Sequence, residues 1–155
     1  MNVVRIFSTS RAFAAVLRDK TVVSWGDADA GGDSSGITFR DSNILTFGVE
    51  DISSTDYAFA ALSSSGGVVT WGSHDHGGNS DAVKSELKNV KRIFSNRYAF
   101  AALLTDGKVV TWGNADFGGD SSIVSERLIA DVATIFSTER AFAAIKNNGE
   151  VVTWG

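Results

Sequence analysis

Two clusters in this 155-residue chain have side chains and spacing suited to chemistry. Asp27, Asp29 and Asp33 alternate with small residues in Asp27-Ala28-Asp29-Ala30-Gly31-Gly32-Asp33. Carboxylates spaced through a glycine-rich turn offer calcium several of the oxygens it needs. The spacing and closing glutamate of an EF-hand loop are missing, and later copies lose acids, reading Ser73-His74-Asp75 and Asn114-Ala115-Asp116. The favoured reading gives these oxygens to backbone N–H groups of a turn, with calcium at Asp27, Asp29 and Asp33 as the lesser alternative. The second cluster, His74-Asp75-His76, holds the only two histidines. On a strand they would share a face and could grip a divalent metal. With no second ligand group and no cysteine in the chain, a solvated loop is the better reading. No serine stands in a nucleophile-elbow context. The residues therefore define no catalytic group and no cofactor, and the chain reads as a non-enzyme.

A third set becomes visible only against the elements that carry it. Ala-Phe-Ala-Ala occurs four times, with Phe13, Phe59, Phe100 and Phe142, and each copy leads to Val-Val-(Ser/Thr)-Trp-Gly, with Trp25, Trp71, Trp112 and Trp154. Each Trp follows its Phe by 12 residues, whereas successive copies are 46, 41 and 42 residues apart. A constant core with variable connectors is one supersecondary unit repeated. A further run, Val-x-x-Ile-(Phe/Ser)-Ser, precedes each copy at 3–8, 49–54, 90–95 and 132–137. These are three β-type runs per unit, rich in β-branched residues. The second and third are joined by Ser65-Gly66, Asp106-Gly107 and Asn148-Gly149, pairs that favour hairpin turns, and by the weaker Asp19-Lys20 in the first unit. The alanines flanking each Phe predict a strand pressed closely on its neighbours, and the recurring Phe and Trp predict a core between units. After each of the first three Trp-Gly pairs comes Gly-Gly-(Asp/Asn)-Ser. The connectors then continue through Val83 and Leu87, through Val124 and Leu128, and in the longer first copy through Ile37, Phe39, Ile44, Leu45 and Phe47. Their spacing leaves a helical turn and an irregular strand both open.

Between the first and second runs the repeat varies most. Those positions hold Ser10-Arg11, Asp56-Tyr57, Arg97-Tyr98 and Glu139-Arg140. Function concentrates where a constant scaffold varies, and Tyr and Arg are enriched at binding hot spots. Arg11, Asp56, Tyr57, Arg97, Tyr98, Glu139 and Arg140 are thus the candidate partner-binding residues, set against the plainer reading of a polar rim.

Bulk properties narrow the partners. Net charge is −4 and the isoelectric point about 5.0, against nucleic acid or an acidic membrane surface. No apolar run approaches the ~18 residues of a membrane span. The arginines and serines of residues 1–20 look like a transit peptide in isolation. Val3, Ile6, Phe7 and Ser8 nonetheless align with the first run of the later units, so the segment is read as a strand. Without a signal-like or spanning segment, the reading leans toward a cytoplasmic location.

Small antiparallel sheets repeated at about 40 residues read as propeller blades. The Val-x-x-Ile strand, small-residue strand, (Asp/Asn)-Gly turn and Val-Val-x-Trp-Gly-(Asp/Asn) sequence resembles the repeat of the RCC1 family. It is most similar to the short blades of its β-lactamase inhibitory protein II branch. The resemblance implies an all-β, propeller-like fold of four RCC1-type blades, each of three to four short antiparallel strands. Residues 1–155 are read as one repeat domain, with repeats at about 3–48, 49–89, 90–131 and 132–155. A stacked β-solenoid or prism is the alternative. The family's usual Gly-Gln after Trp-Gly is here Gly-Gly-(Asp/Asn)-Ser, and its rings have seven blades where this chain has four. The implied function is a scaffold that binds a protein partner through one loop face. A lectin-like propeller binding glycans through the Gly-Gly-Asp-Ser loops is the alternative. Guanine-nucleotide exchange ranks below both, for want of an inserted wedge. Four blades leave two unpartnered faces, answered by a longer chain, a small closed ring, or a homodimer that completes a larger one.

Overall fold

The computed structural model describes residues 2–35 and 48–155, so the first connector's Ile37, Phe39, Ile44, Leu45 and Phe47 lie outside the described residues. Among the described residues twelve strands form four separate three-stranded antiparallel sheets in sequential order. The first sheet holds β1 (Val3–Ser8), β2 (Ala12–Leu17) and β3 (Val22–Gly26). The second holds β4 (Val49–Ser54), β5 (Ala58–Ser63) and β6 (Val68–Gly72). The third holds β7 (Val90–Ser95), β8 (Ala99–Leu104) and β9 (Val109–Gly113). The fourth holds β10 (Val132–Ser137), β11 (Phe142–Lys146) and β12 (Val151–Trp154). These are propeller blades of three strands each. Their first strands lie side by side, β1 on β4, β4 on β7 and β7 on β10, around a common axis. A stacked solenoid is not what the chain adopts.

The 12-residue Phe-to-Trp interval fixes the register of each hairpin. It sets Phe13 opposite Trp25, Phe59 opposite Trp71, Phe100 opposite Trp112 and Phe142 opposite Trp154. The rings stack at 5.2–5.5 Å between centroids, a favourable offset geometry. The Val-x-x-Ile spacing needs a different device. Residues three apart on a regular strand face opposite ways, yet Val90 and Ile93 are both buried in one cluster. A register shift between the Val and the residue two further on occurs in all four blades and restores the common face.

Alternation along the second strand divides the alanines from the Phe. Ala58, Ala60 and Leu62 of blade two pack against Val90, Ile93, Phe100 and Trp112 of blade three. Ala12, Ala14 and Val16 meet blade two's Val49, Ile52, Phe59 and Trp71 in the same way. Ala99, Ala101 and Leu103 meet blade four's Val132, Ile135, Phe142 and Trp154. Each blade therefore has a flat alanine front and a Phe–Trp back. Side chains no larger than alanine let the next blade's rings approach the strand closely.

The expectation of a Phe–Trp core holds for blades two to four and fails for blade one. Phe13 and Trp25 are 46% and 45% exposed, whereas Phe59 is fully buried and Trp71 only 4% exposed. Among the described residues no other blade covers them.

The connectors resolve as short 3₁₀ turns. Ala28–Ala30, His74–His76 and Ala115–Phe117 each end at a glycine with left-handed φ, namely Gly31, Gly77 and Gly118. A Cβ on Gly77 would lie 2.5 Å from the Phe100 ring, so only glycine lets that ring seat against the turn. Further 3₁₀ turns at Asp81–Val83 and Ser122–Arg127 complete the second and third connectors.

Candidate functional site

The four turns between first and second strands gather at one end of the blade array. Within each turn the two variable residues separate into two rows. The first row, Ser10, Asp56, Arg97 and Glu139, runs around the axis as a backbone ladder. Ser10 N–H donates to the Asp56 carbonyl at 2.9 Å, Asp56 N–H to Arg97 at 3.0 Å and Arg97 N–H to Glu139 at 3.2 Å. Their side chains add charge pairing. Arg97 lies 2.7 Å from the Asp56 carboxylate and 3.8 Å from that of Glu139. The hydrogen bond to Asp56 raises the Arg97 pKa further above its usual value. These residues line a depression of about 540 Å³ at the axis.

The second row is aromatic and cationic. The Arg11 guanidinium lies 5.7 Å from the Tyr57 ring centre. Tyr57 meets His76 edge-on at 4.8 Å, His76 meets Tyr98 at 5.5 Å, and Tyr98 meets Phe117 at 4.5 Å. The Arg140 guanidinium closes the row 5.4 Å from the Phe117 ring. A continuous stack from Arg11 to Arg140 thus crosses all four blades. Cation–π contacts at such distances are worth about 0.5–1 kcal/mol each at exposed sites. Arg140 makes no ion pair among the described residues, and Arg11 has only a loose one, 3.7 Å from Asp27. Neither tyrosine hydroxyl has a hydrogen-bond partner among the described residues, so both phenols remain open to an incoming group.

The row brings together Arg11, Tyr57, Tyr98 and Arg140, which the sequence singled out, with His76, which it offered only as a metal ligand, and Phe117, which it did not single out. His76 and Phe117 are each the last residue of a connector's 3₁₀ turn, where the first connector has Ala30. The turns are pinned under the site by side chains. Thr55 Oγ1 donates to the His76 carbonyl at 3.0 Å, and Asn96 Nδ2 donates to that of Phe117 at 2.7 Å. Ser73 Oγ lies 3.0 Å from His76 Nδ1 and orients the ring. The signal present in the sequence was an aromatic or alanine immediately before each Gly-Gly.

The two chemical clusters resolve differently. His74-Asp75-His76 is a helical turn, not a strand, so the histidines do not share a strand face: His74 is exposed while His76 turns into the aromatic row. Asp27 Oδ1 accepts from Asp29 N–H at 3.0 Å and Asp33 Oδ1 from Ser35 N–H at 2.8 Å, the capping roles favoured from sequence. The hydroxyl and amide of Ser35 lower the Asp33 pKa, and the amide and hydroxyl of Ser122 lower that of Asp120. Among the described residues no three His, Asp or Glu side chains converge as metal ligands. No described helix is long and apolar enough to cross a membrane.

No protein-family model matches the chain, and no curated protein matches it in sequence. Solved structures match it in fold. Prp20p from Saccharomyces cerevisiae, reported with its binding to Gsp1p and histones, superposes with a TM-score of 0.70 at 20% identity, over 99% of this chain and 44% of that one. Yeast RCC1 (Prp20) in complex with Kap60 gives a TM-score of 0.70 at 21% identity, over 99% and 43%. Human WBSCR16 gives a TM-score of 0.65 at 19% identity, over 99% and 47%. The chain shares the propeller-blade fold of these proteins, as the repeat motifs implied. The chain spans less than half the length of each of these proteins.

Proposed function

We propose that the protein is a non-catalytic propeller scaffold that binds a protein partner through the loop face carrying the Arg11–Tyr57–His76–Tyr98–Phe117–Arg140 row. The observation that carries this reading is the continuity of that row. It is built from positions where the repeat varies, yet six side chains from four blades and two connectors meet in one stack. Tyr and Arg presented on rigid strand ends are the side chains that dominate interface energetics. Arg140, which has no ion pair among the described residues, and Arg11, whose contact with Asp27 is a loose 3.7 Å, suit a partner segment that combines carboxylates with apolar side chains. The binding of Gsp1p, histones and Kap60 by yeast Prp20 makes protein partners a natural expectation for blades of this type.

The lectin-like alternative is less well supported. Asp33, Asn79 and Asp120 of the Gly-Gly-(Asp/Asn)-Ser loops each give a side-chain oxygen to their own turn. Nucleotide exchange has only the likeness of fold behind it.

The test keeps the ring stack and removes its recognition groups. A variant carrying Arg11→Ala, Arg140→Ala, Tyr57→Phe and Tyr98→Phe loses both cations and both hydroxyls but no stacked tyrosine ring. Partners selected from a peptide or protein display library by the wild type should bind it about tenfold or more weakly, the loss expected of hot-spot groups. The melting temperature should shift by only a few degrees. Undiminished binding overturns the reading.

A further inference from the structure

The three junctions between blades define what a fourth junction requires, and the chain carries both halves of it at opposite ends. Blade one presents an uncovered back. Val3, Ile6, Phe13 and Trp25 are 48%, 59%, 46% and 45% exposed, while Val49, Ile52, Phe59 and Trp71 in the same places are at most 4% exposed. Blade four presents an uncovered front. Ala141 and Ala143 are partly exposed there, whereas their counterparts Ala58, Ala60, Ala99 and Ala101 are fully buried. Val151 and Phe136 on this blade are 52% and 58% exposed.

The backbone groups match as well. At the loop end each junction pairs the turn N–H of one blade with the turn carbonyl of the next, as Arg97 N–H does with Glu139 O at 3.2 Å. Among the described residues Glu139 N–H has no acceptor and Ser10 O has no donor, so the row stops at both ends in complementary groups. At the opposite end the hairpin carbonyl of one blade accepts from the first strand of the next. Lys20 O takes Val49 N–H at 3.0 Å, Gly66 O takes Val90 N–H at 2.9 Å and Gly107 O takes Val132 N–H at 3.1 Å. Gly149 O, the fourth in this series, has no donor among the described residues, and Val3 N–H stands where those donors stand.

We infer that two copies of this chain join head to tail, the alanine front of blade four in each covering the Phe13–Trp25 back of blade one in the other. The contact is heterologous, so it closes into a cyclic pair when the rotation per blade allows and runs on into open chains when it does not. Four blades from each copy complete one ring. Glu139 N–H then reaches the partner's Ser10 O, and the partner's Val3 N–H reaches Gly149 O. The junction between copies repeats the apolar packing and backbone pairing of the internal ones. This inference is independent of the loop-face reading.

Light scattering on the 155-residue chain should give twice its mass of 16.4 kDa. Trp25→Glu on the head and Ala143→Glu on the tail should each give the single-chain mass with an unchanged far-ultraviolet spectrum, because both side chains lie outside the internal junctions. Mixing the two variants should restore a pair containing one of each, through the one junction in which both faces are native. A symmetric face-to-face dimer through Trp25 would show no such rescue. A wild type that stays at single-chain mass at high micromolar concentration overturns the inference, assigning both faces to other blades. Open polymers overturn the closed ring, and single variants that still pair overturn the junction.

Discussion

The indole N–H of Trp71 donates to the carbonyl oxygen of Gly31 at 3.0 Å, across the junction from blade two back to blade one. Trp112 does the same to Gly77 at 3.1 Å, and Trp154 to Gly118 at 3.2 Å. The motif's Trp-Gly is therefore hydrogen-bonded, across each junction, to the Gly-Gly that follows the preceding blade's Trp-Gly. Blades one to three each supply the acceptor for the next. Trp25 stacks on Phe13 within its own blade, but its indole N–H has no acceptor among the described residues.

That asymmetry makes one substitution informative at four positions. Trp71→Phe, Trp112→Phe and Trp154→Phe each remove a buried hydrogen bond and part of a packed ring, at a cost of roughly 1–3 kcal/mol. Trp25→Phe removes neither and should stay within about 0.5 kcal/mol of wild type. Urea denaturation in dilute solution, where association between chains contributes nothing, measures all four. Equal losses at all four sites would mean that Trp25 is buried in the single chain.

A pair of glycines separates crowding from backbone strain. Gly118 has φ +94°, and a Cβ there would sit 2.7 Å from the Phe142 ring. Gly149 has φ +86°, with nothing within 4 Å of the same added atom. Gly149→Ala should cost about 1–2 kcal/mol, the penalty for a side chain in left-handed backbone. Gly118→Ala bears that penalty and must also displace a buried ring, for a total of about 3 kcal/mol or more. Comparable thermal shifts for the two variants would contradict the seating of Phe142 against this turn.

The strands were legible because their signals are local. Val3–Ser8, Val49–Ser54, Val90–Ser95 and Val132–Ser137 lie where the Val-x-x-Ile runs predict them. The bulge that puts Val and Ile on one face was also written there, as a spacing of three that no regular strand tolerates. His76 and Phe117 escaped because a side chain in a connector gains its role from the turns of two different blades, and sequence shows neither approach. Four blades implied two unpartnered faces, but not that one of them would expose Trp25. Its local sequence matches that of Trp71, and among the described residues only the lack of a covering blade tells them apart.

The weak turn signal at Asp19-Lys20 has a measurable consequence. Lys20 adopts φ +66°, where Gly66, Gly107 and Gly149 adopt +80°, +82° and +86°. The first hairpin makes the same turn as the others with a residue poorly suited to it. Lys20→Gly relieves the left-handed strain while the carbonyl that accepts from Val49 N–H remains in place. It should stabilise the chain by up to about 1 kcal/mol, the strain relief being partly offset by the greater freedom of glycine in the unfolded chain. An unchanged or lower urea midpoint would argue against this turn geometry.

Acid should loosen the junction between blades three and four in a way one substitution reveals. Arg127, at the end of the third connector, donates from Nε and Nη2 to Glu150 Oε1 at 2.9 and 2.6 Å, and from Nη2 to the Val151 carbonyl at 3.0 Å. The Arg127 hydrogen bond holds the Glu150 carboxyl below its ordinary value of 4.5. A carboxylate whose folded pKa is depressed binds fewer protons folded than unfolded, so its contribution is complete above the unfolded value and disappears as pH falls through the folded one. Asp19, Asp33 and Asp120, lowered by Thr21, Ser35 and Ser122, act in the same direction from an ordinary value of 3.8. Stability should therefore be flat from about pH 7 to pH 5 on account of these groups and decline steadily below that. Glu150→Gln lacks one of the four titrations, so its urea midpoint should lie below wild type near neutrality and converge with it toward about pH 3. The pair is exposed and screened by salt, so the gap at neutral pH should narrow as ionic strength rises. A gap independent of both pH and salt would assign the effect of the substitution to lost packing around Arg127 instead of to charge.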